Sequence, residues 1–309
     1  MKIVFMGTPD FAVPMLKAVA KRHNVTLVVT QPDAKKGRKQ TLMPPPVKVE
    51  ANALGIPVFQ PVRIGDDLDP IVAAKPDVIV TVAYGQFLPE KVLSIAKKDA
   101  INVHASLLPS LRGGAPVQRA IERGFDATGI SIIRMVKRMD AGPVLVQKSL
   151  PIAPDDTSDT LFKKLEPLGV DALLEALDLI EQNQATYTEQ NHEEATFAYA
   201  ITREEEALDF NSTAETLERK VRAFYPQPGV MTTVNGKRLK VWAADVIKST
   251  DASPGAVVQA DNEGIVIACK EGALALTRVQ LEGKKPMDVK TFMNGAGRNL
   301  IKTGIKLPS

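Results

Sequence analysis

Three side chains in this 309-residue sequence are spaced for carbonyl chemistry: Asn102, His104 and Asp140. Asn102 and His104 stand two apart in Ile101-Asn-Val-His104, and a strand puts residues two apart on one face. A carboxamide donor beside an imidazole at a strand's carboxyl end can polarise a carbonyl or stabilise a developing oxyanion. Taken singly, each residue is more often structural: an Asn satisfying a strand end, a His bonded within a core. The chain has only three histidines, however, and His23 and His192 fall in polar contexts. His104 is therefore the acid–base candidate of its type. Asp140, in Arg138-Met-Asp-Ala-Gly142, lies just before the apolar run 144–146. Asp-Ala-Gly reads equally well as a turn into a strand and as a carboxylate that orients His104 and takes up protons, directly or through water.

The elements that must position these groups alternate between strand and helix signals. Short β-branched runs fall at 2–6, 25–30, 78–82, 101–104 and 130–135, several of them uninterrupted by polar residues. Such runs suit parallel strands covered on both faces, and the helical stretches between them make the class α/β, Rossmann-like, with a mostly parallel sheet. Ligands of such sheets bind beyond the carboxyl ends of the strands, where Asn102 and His104 fall. Asp10 is expected to cap a helix over 11–21. The stretch 157–182 reads as helical with Leu173, Leu174, Leu177 and Ile180 on one face, and Pro167 predicts a kink or a division into two helices. A polar, aperiodic segment then gives way to a helix near 213–224 and to short strands. Asn235-Gly236, Pro254-Gly255, Glu263-Gly264 and Glu271-Gly272 punctuate those strands, the pattern of a smaller, OB-like β-barrel domain. The expected division is 1–189 for a catalytic domain, 190–206 for a linker and 207–309 for the barrel.

Composition excludes several classes. Apolar residues make up 44% and charged residues 24%, an ordinary globular balance. Aromatics, at 5%, are too few for a surface that binds single strands chiefly by base stacking. One cysteine, Cys269, excludes intrachain disulfides and cysteine-rich metal sites, and the histidines are far apart, so no metal is expected. Gly7-Thr-Pro-Asp10 lacks the dinucleotide fingerprint, which counts against a nicotinamide cofactor. The apolar start is too short for a signal peptide and no stretch is long enough for a membrane helix, so the expected compartment is the cytoplasm. Net charge is +3, but residues 207–309 hold 15 Lys/Arg against 10 Asp/Glu, a mild excess compatible with phosphate contacts. A second basic feature is Lys35-Lys36-Gly37-Arg38-Lys39, between Pro32 and Pro44, Pro45 and Pro46. Charge runs are usually solvated loops; this one, stiffened at both ends and free in the middle, could reach a polyanion.

Taken together, Asn-x-His, Ser-Leu-Leu-Pro-x-x-Arg-Gly and a later Asp-x-Gly resemble the folate-dependent formyltransferase family. The resemblance implies a catalytic trio of Asn102, His104 and Asp140, with 10-formyltetrahydrofolate as formyl donor. It implies folate contacts at Ser106, Leu107, Leu108 and Pro109, and a pterin pocket lined by the backbone of Tyr84-Gly-Gln-Phe-Leu-Pro89. It extends over essentially the whole chain for those members that formylate the methionyl group carried by initiator tRNA. Met6-Gly-Thr-Pro-Asp-Phe-Ala12 and the basic loop are typical of them. For these members the resemblance makes Lys35, Lys36, Arg38 and Lys39 the tRNA-contacting loop, with Arg38 the key arginine, and the basic barrel a tRNA-binding domain. The expected partners are methionyl-tRNA and folate, and the expected state is a monomer. Two departures from the family pattern occur: Ser110-Leu111 replaces a basic–aromatic pair, and Gly114 stands where Ala is usual. A formyltransferase acting on a sugar-nucleotide amine would share the trio without needing the basic loop. A tRNA-binding protein with a degenerate site is the reading from another class, and the intact trio argues against it.

Overall fold

The computed structural model describes residues 1–37, 40–248 and 251–308, without the side chain of Lys36. Two compact units divide the chain. The first comprises Met1–Pro116, Ala127–Pro151 and Phe162–Ala198, and the second Val117–Asp126, Ile152–Leu161 and Tyr199–Ser309.

In the first unit the strands are, in chain order, β1 (Lys2–Gly7), β2 (Asn24–Val29), β3 (Ala34–Lys36), β4 (Thr41–Met43) and β5 (Val58–Phe59). They continue with β6 (Val78–Val82), β7 (Asp99–His104), β8 (Ala127–Arg134) and β9 (Val144–Pro151). Seven of them form one sheet in the order β5-β2-β1-β6-β7-β8-β9. Pairing is parallel from β5 to β7 and antiparallel across β7–β8 and β8–β9. The run 130–135 thus belongs to an antiparallel strand. In β1 and β6 every apolar residue is buried, because helices cover both faces as a parallel sheet requires. Strand β9 instead alternates toward solvent at its end, as an edge strand does. One core cluster gathers Val4 and Met6 of β1, Leu27 and Val29 of β2, Ile79 of β6 and Ala100 of β7.

Asp10 does not cap the first helix. It opens a 3-10 turn, Asp10–Ala12, that runs into the α-helix Val13–Arg22, and no side chain caps either end-on N–H group. Pro14 in the first turn has no N–H to satisfy, which lowers the need for a cap. The helix Ser158–Glu181 is continuous through Pro167. Pro167 is exposed, so the ladder position it leaves open faces water and the helix survives. Leu173, Leu177 and Ile180 are buried along it and Leu174 is half-buried.

In the second unit the helix Ala214–Ala223 is capped by Thr213, whose hydroxyl accepts from the Thr216 N–H at 3.2 Å, and its last turn carries Lys220 and Arg222, favourable at the negative end of the dipole. The strands β10 (Val230–Val234), β11 (Lys237–Ile247), β12 (Val257–Ala260), β13 (Ile265–Ala268), β14 (Ala273–Leu281) and β15 (Met287–Asp288) make a curled antiparallel half-barrel. Asn235-Gly236, both at positive φ, turn β10 into β11 as a two-residue hairpin demands. Register shifts around Ala243 bend β11 against β14. Cys269 is buried, and that burial pushes its thiol up to about 11. Among the described residues no helix is long and apolar enough to cross a membrane.

Candidate active site

One face of β7 explains the spacing of the first two residues. Ala100 belongs to the core cluster, and the same face continues through Asn102 to His104 at the carboxyl end, while Ile101 and Val103 are buried on the other side. Asn102 is half-buried, and among the described residues no hydrogen bond occupies its carboxamide. His104 is buried. Its Nε2 lies 2.9 Å from the carbonyl oxygen of Leu111, an acceptor only, so Nε2 carries a proton. Nδ1 is left to exchange protons, and it faces Asp140 Oδ2 at 3.6 Å. At that distance the two groups attract but are not directly hydrogen-bonded; a small closure or one bridging water completes the link.

Asp140 occupies φ 49°, the left-handed region, uncommon for a non-glycine residue though Asp is among those that enter it more readily. Two hydrogen bonds to Asp140 and a third to Gly142 hold the turn. The Gly113 N–H donates to its Oδ2 at 2.8 Å. The Gln190 amide donates to the Asp140 carbonyl at 2.8 Å and to the Gly142 carbonyl at 2.6 Å. The glycine of Asp-Ala-Gly is a steric requirement, since a Cβ at Gly142 would stand 1.8 Å from the Arg134 carbonyl oxygen. Gly113, at φ 122°, is equally constrained, because a Cβ there would meet the Ala198 carbonyl oxygen at 2.7 Å.

The loop after β7 is tied internally. The Ser106 hydroxyl donates to the Ser110 carbonyl at 2.6 Å and is fully buried. Ser131 of β8 donates to the Ser106 carbonyl at 2.7 Å and accepts from the Leu108 N–H at 3.1 Å. Gln147 of β9 donates to the Leu108 carbonyl at 3.0 Å. Of the four expected folate contacts, Leu107 and Pro109 keep half-exposed side chains, whereas Ser106 and Leu108 face inward and offer a ligand little beyond their backbone. In Tyr84-Gly-Gln-Phe-Leu-Pro89, the Tyr84 carbonyl accepts from Thr8 and Gln31, and Phe87 is exposed. Burial alone raises the Tyr84 hydroxyl to about 12, so it stays a neutral phenol.

The basic loop is a hairpin of β3 and β4 with Gly37 at its turn. Its base is pinned where Lys48 donates to both Asp33 oxygens, at 2.8 and 2.9 Å, and Gln60 donates to the first at 2.8 Å. Lys35, Leu42 and Met43 are exposed beyond that anchor. Arg38 and Lys39 lie outside the described residues, as does the Lys36 side chain. Elsewhere in the first unit, His23, Asp178 and Glu181 bring possible metal-ligand atoms within 4.8 Å of one another. Arg22 engages both Asp178 oxygens and the Met1 ammonium stands 3.2 Å from Glu181, so internal cations already balance these carboxylates.

Sequence reasoning carried Arg112 only as part of the Ser-Leu-Leu-Pro-x-x-Arg-Gly motif, set His192 aside for its polar context and missed Gln190. Arg112 is fully buried and donates to Gln190 Oε1 from Nε at 3.1 Å and from Nη2 at 2.6 Å; Nη2 also meets His192 Nδ1 at 2.9 Å. Burial and the charge of Arg138 pull the Arg112 guanidinium below its ordinary value, with Asp140 opposing them. The first half of the stretch read as a linker runs along the 111–115 loop. Thr196 accepts from the Arg112 N–H at 2.9 Å, and Ala198 both donates to Arg112, at 2.7 Å, and accepts from Ala115, at 3.0 Å. Its polar, aperiodic composition reflects these ties to a loop.

Against known proteins, residues 1–177 match the family model described as formyl transferase, and residues 200–297 match the formyl transferase C-terminal domain. The chain belongs to the formyl transferase family. A relative named methionyl-tRNA formyltransferase from Macrococcus caseolyticus is 46% identical over 97% of each chain. One of the same name from Latilactobacillus sakei is 48% identical over 96% of this chain and 95% of its own. Among solved structures, HypX from Aquifex aeolicus in complex with tetrahydrofolic acid superposes with a TM-score of 0.64 at 18% identity, a likeness of fold. All of this formyltransferase chain is covered in that superposition, and it spans about half the length of HypX.

Proposed function

We propose that this formyltransferase moves a formyl group from 10-formyltetrahydrofolate to the α-amine of methionyl-tRNA, the initiator species, and so supports translation initiation. Relatives of that name at 46% and 48% identity over nearly the full length support the reaction, and the tetrahydrofolic acid in the HypX structure supports the donor class. The observation that carries the chemistry is a free carboxamide beside an imidazole whose unengaged nitrogen faces a carboxylate, all at the end of β7 and its following turn.

The division of roles follows from the reaction. A free α-amino group already titrates near pH ~8, so the site need not create a strong nucleophile. Its tasks are alignment and charge stabilisation. The amine nitrogen bonds to the formyl carbon, the bond from that carbon to the donor nitrogen breaks, and one proton passes from the incoming amine to the departing one. Asn102 donates an N–H to the formyl oxygen as negative charge develops there. His104, protonated or donating, assists in stabilising that charge, and Asp140 holds the imidazole in that state. Asp140 takes the amine proton through water. No covalent intermediate with the protein and no metal is required. Ser106, Leu107, Leu108 and Pro109 offer the donor two half-exposed side chains and a backbone fixed from β8 and β9. Lys35, Lys36, Arg38 and Lys39 serve the phosphates of the tRNA acceptor end.

Residues 1–189 carry the chemistry in this reading, 190–206 make the connection and 207–309 contribute tRNA binding, in a monomeric cytoplasmic enzyme. The deciding assay compares formyl transfer to charged initiator tRNA, to elongator methionyl-tRNA and to an amino-sugar nucleotide. Rapid transfer to the first supports the reading; transfer to the sugar nucleotide alone overturns it.

A further inference from the structure

We propose that Gln190 is a positioning residue that sets the Asp140 carboxylate against His104; this rests on the role given above to Asp140. The Gln190 amide is saturated, with two N–H donors and one doubly accepting oxygen all engaged. Both donors go to the turn that carries Asp140, to its own carbonyl and to that of Gly142. The oxygen receives the buried Arg112 from Nε and Nη2. Arg112 is fixed in turn through its backbone to Thr196 and Ala198, and its neighbour Gly113 supplies the N–H that holds Asp140 Oδ2.

These bonds close a ring: Asp140 carbonyl, Gln190, Arg112, Gly113, Asp140 carboxylate. Both ends of Asp140 are thereby referred to one rigid pair of residues, and that fixes the rotation of its carboxylate toward Nδ1. The left-handed conformation of Asp140 is less favoured than an ordinary one, and the ring helps to hold it. Leu111, the next residue back, holds the other nitrogen of His104, so the same loop fixes both members of the pair.

The alternative is that Gln190 merely satisfies a buried arginine. Gln190→Glu separates the two. It keeps an acceptor for Arg112 but loses both donors to the Asp140 turn. The expected result is kcat lower by roughly 10–100-fold, the range that a misplacement of about an ångström produces, with KM for the formyl donor close to that of the unaltered protein. In single-turnover assays on the full chain, adding Gln190→Glu to Asp140→Ala should cause no further loss, because the first change acts through the second. Should Gln190→Glu fail to fold, Gln190→Asn, with the same groups on a stem one methylene shorter, is judged by the same criteria. Near-normal kcat in the Gln190 variant beside an inactive Asp140→Ala overturns the proposal and leaves the trio standing. An equal loss in both backgrounds overturns it too. Normal turnover in Asp140→Ala removes the reading on which it rests, and the proposal with it.

Discussion

The turn that carries Asp140 and the hairpin that carries Lys35 belong to the same compact unit and are built in opposite ways. Around Asp140 the carboxylate and the backbone carbonyl each meet a fixed partner, in a place where a single added Cβ at Gly142 or Gly113 would collide with backbone. Among the described residues the hairpin is anchored at its base through Asp33, and Lys35, Leu42 and Met43 stand in solvent. Groups that meet reacting atoms lose rate when they move by an ångström. Groups that gather a polyanion act over nearly a Debye length, about 8–10 Å, and gain from reach more than from fixity. On the roles proposed above, rigidity is concentrated where geometry enters the rate.

The largest effect expected from this contrast is at the trio. Asn102→Ala, His104→Ala and Asp140→Ala should each cut turnover by about 10²–10⁴ while the fold stays intact. Near-normal turnover in the His104 variant would remove the chemical half of the contrast. An intermediate effect is expected at the hairpin. Arg38→Ala should raise the apparent KM for methionyl-tRNA by roughly tenfold and reduce the salt dependence of binding by about one counterion, as the loss of one phosphate contact does. Hydrolysis of the formyl donor in the absence of tRNA should be unchanged. Arg38→Lys tells bare charge, which it preserves, from a bidentate contact, which it does not. Unaltered tRNA kinetics in Arg38→Ala would make the hairpin a solvated loop.

The smallest effect comes from a tie with no reacting atom beside it. In the second unit Arg119 engages both Glu205 oxygens, at 2.7 and 3.0 Å, and holds that carboxyl down at about 2. Because the folded value lies below the unfolded one, the stabilisation is complete above about pH 4.5 and is lost as pH falls toward about 2. Glu205 is partly exposed, so Glu205→Gln should lower the melting temperature at pH 7 by only roughly 2–4 °C, with turnover unaffected. The difference from the unaltered protein should narrow between pH 7 and pH 3. A gap that stays constant with pH would show that the pair contributes no charge-dependent stability.

Asn102 and His104 were legible in the sequence because a two-residue period needs no tertiary information to assign a shared face. The Asn235-Gly236 hairpin was legible for a similar reason, since few residues tolerate two consecutive positive φ values. The pairing of Arg112 with Gln190 was not, although Arg112 stands in the family motif. They are 78 residues apart, and a buried arginine held by a neutral amide leaves no local pattern, only polar letters that resemble surface. The antiparallel switch after β7 was hidden because β8, buried on both sides, reads like its parallel neighbours. The hairpin β3–β4 escaped because Ala34-Lys-Lys36 has no strand composition, and only pairing with Thr41–Met43 makes it one.

Cys269 turns the single thiol of this chain into an internal clock for one unit. Its sulfur is almost wholly shielded inside the half-barrel, and the raised pKa leaves very little thiolate to react with an alkylating reagent near neutrality. The first unit has no cysteine at all. Alkylation under native conditions therefore requires the half-barrel to open, and where reclosing outpaces the reagent its rate reads the opening free energy of that unit separately from the seven-stranded sheet, with no label to engineer.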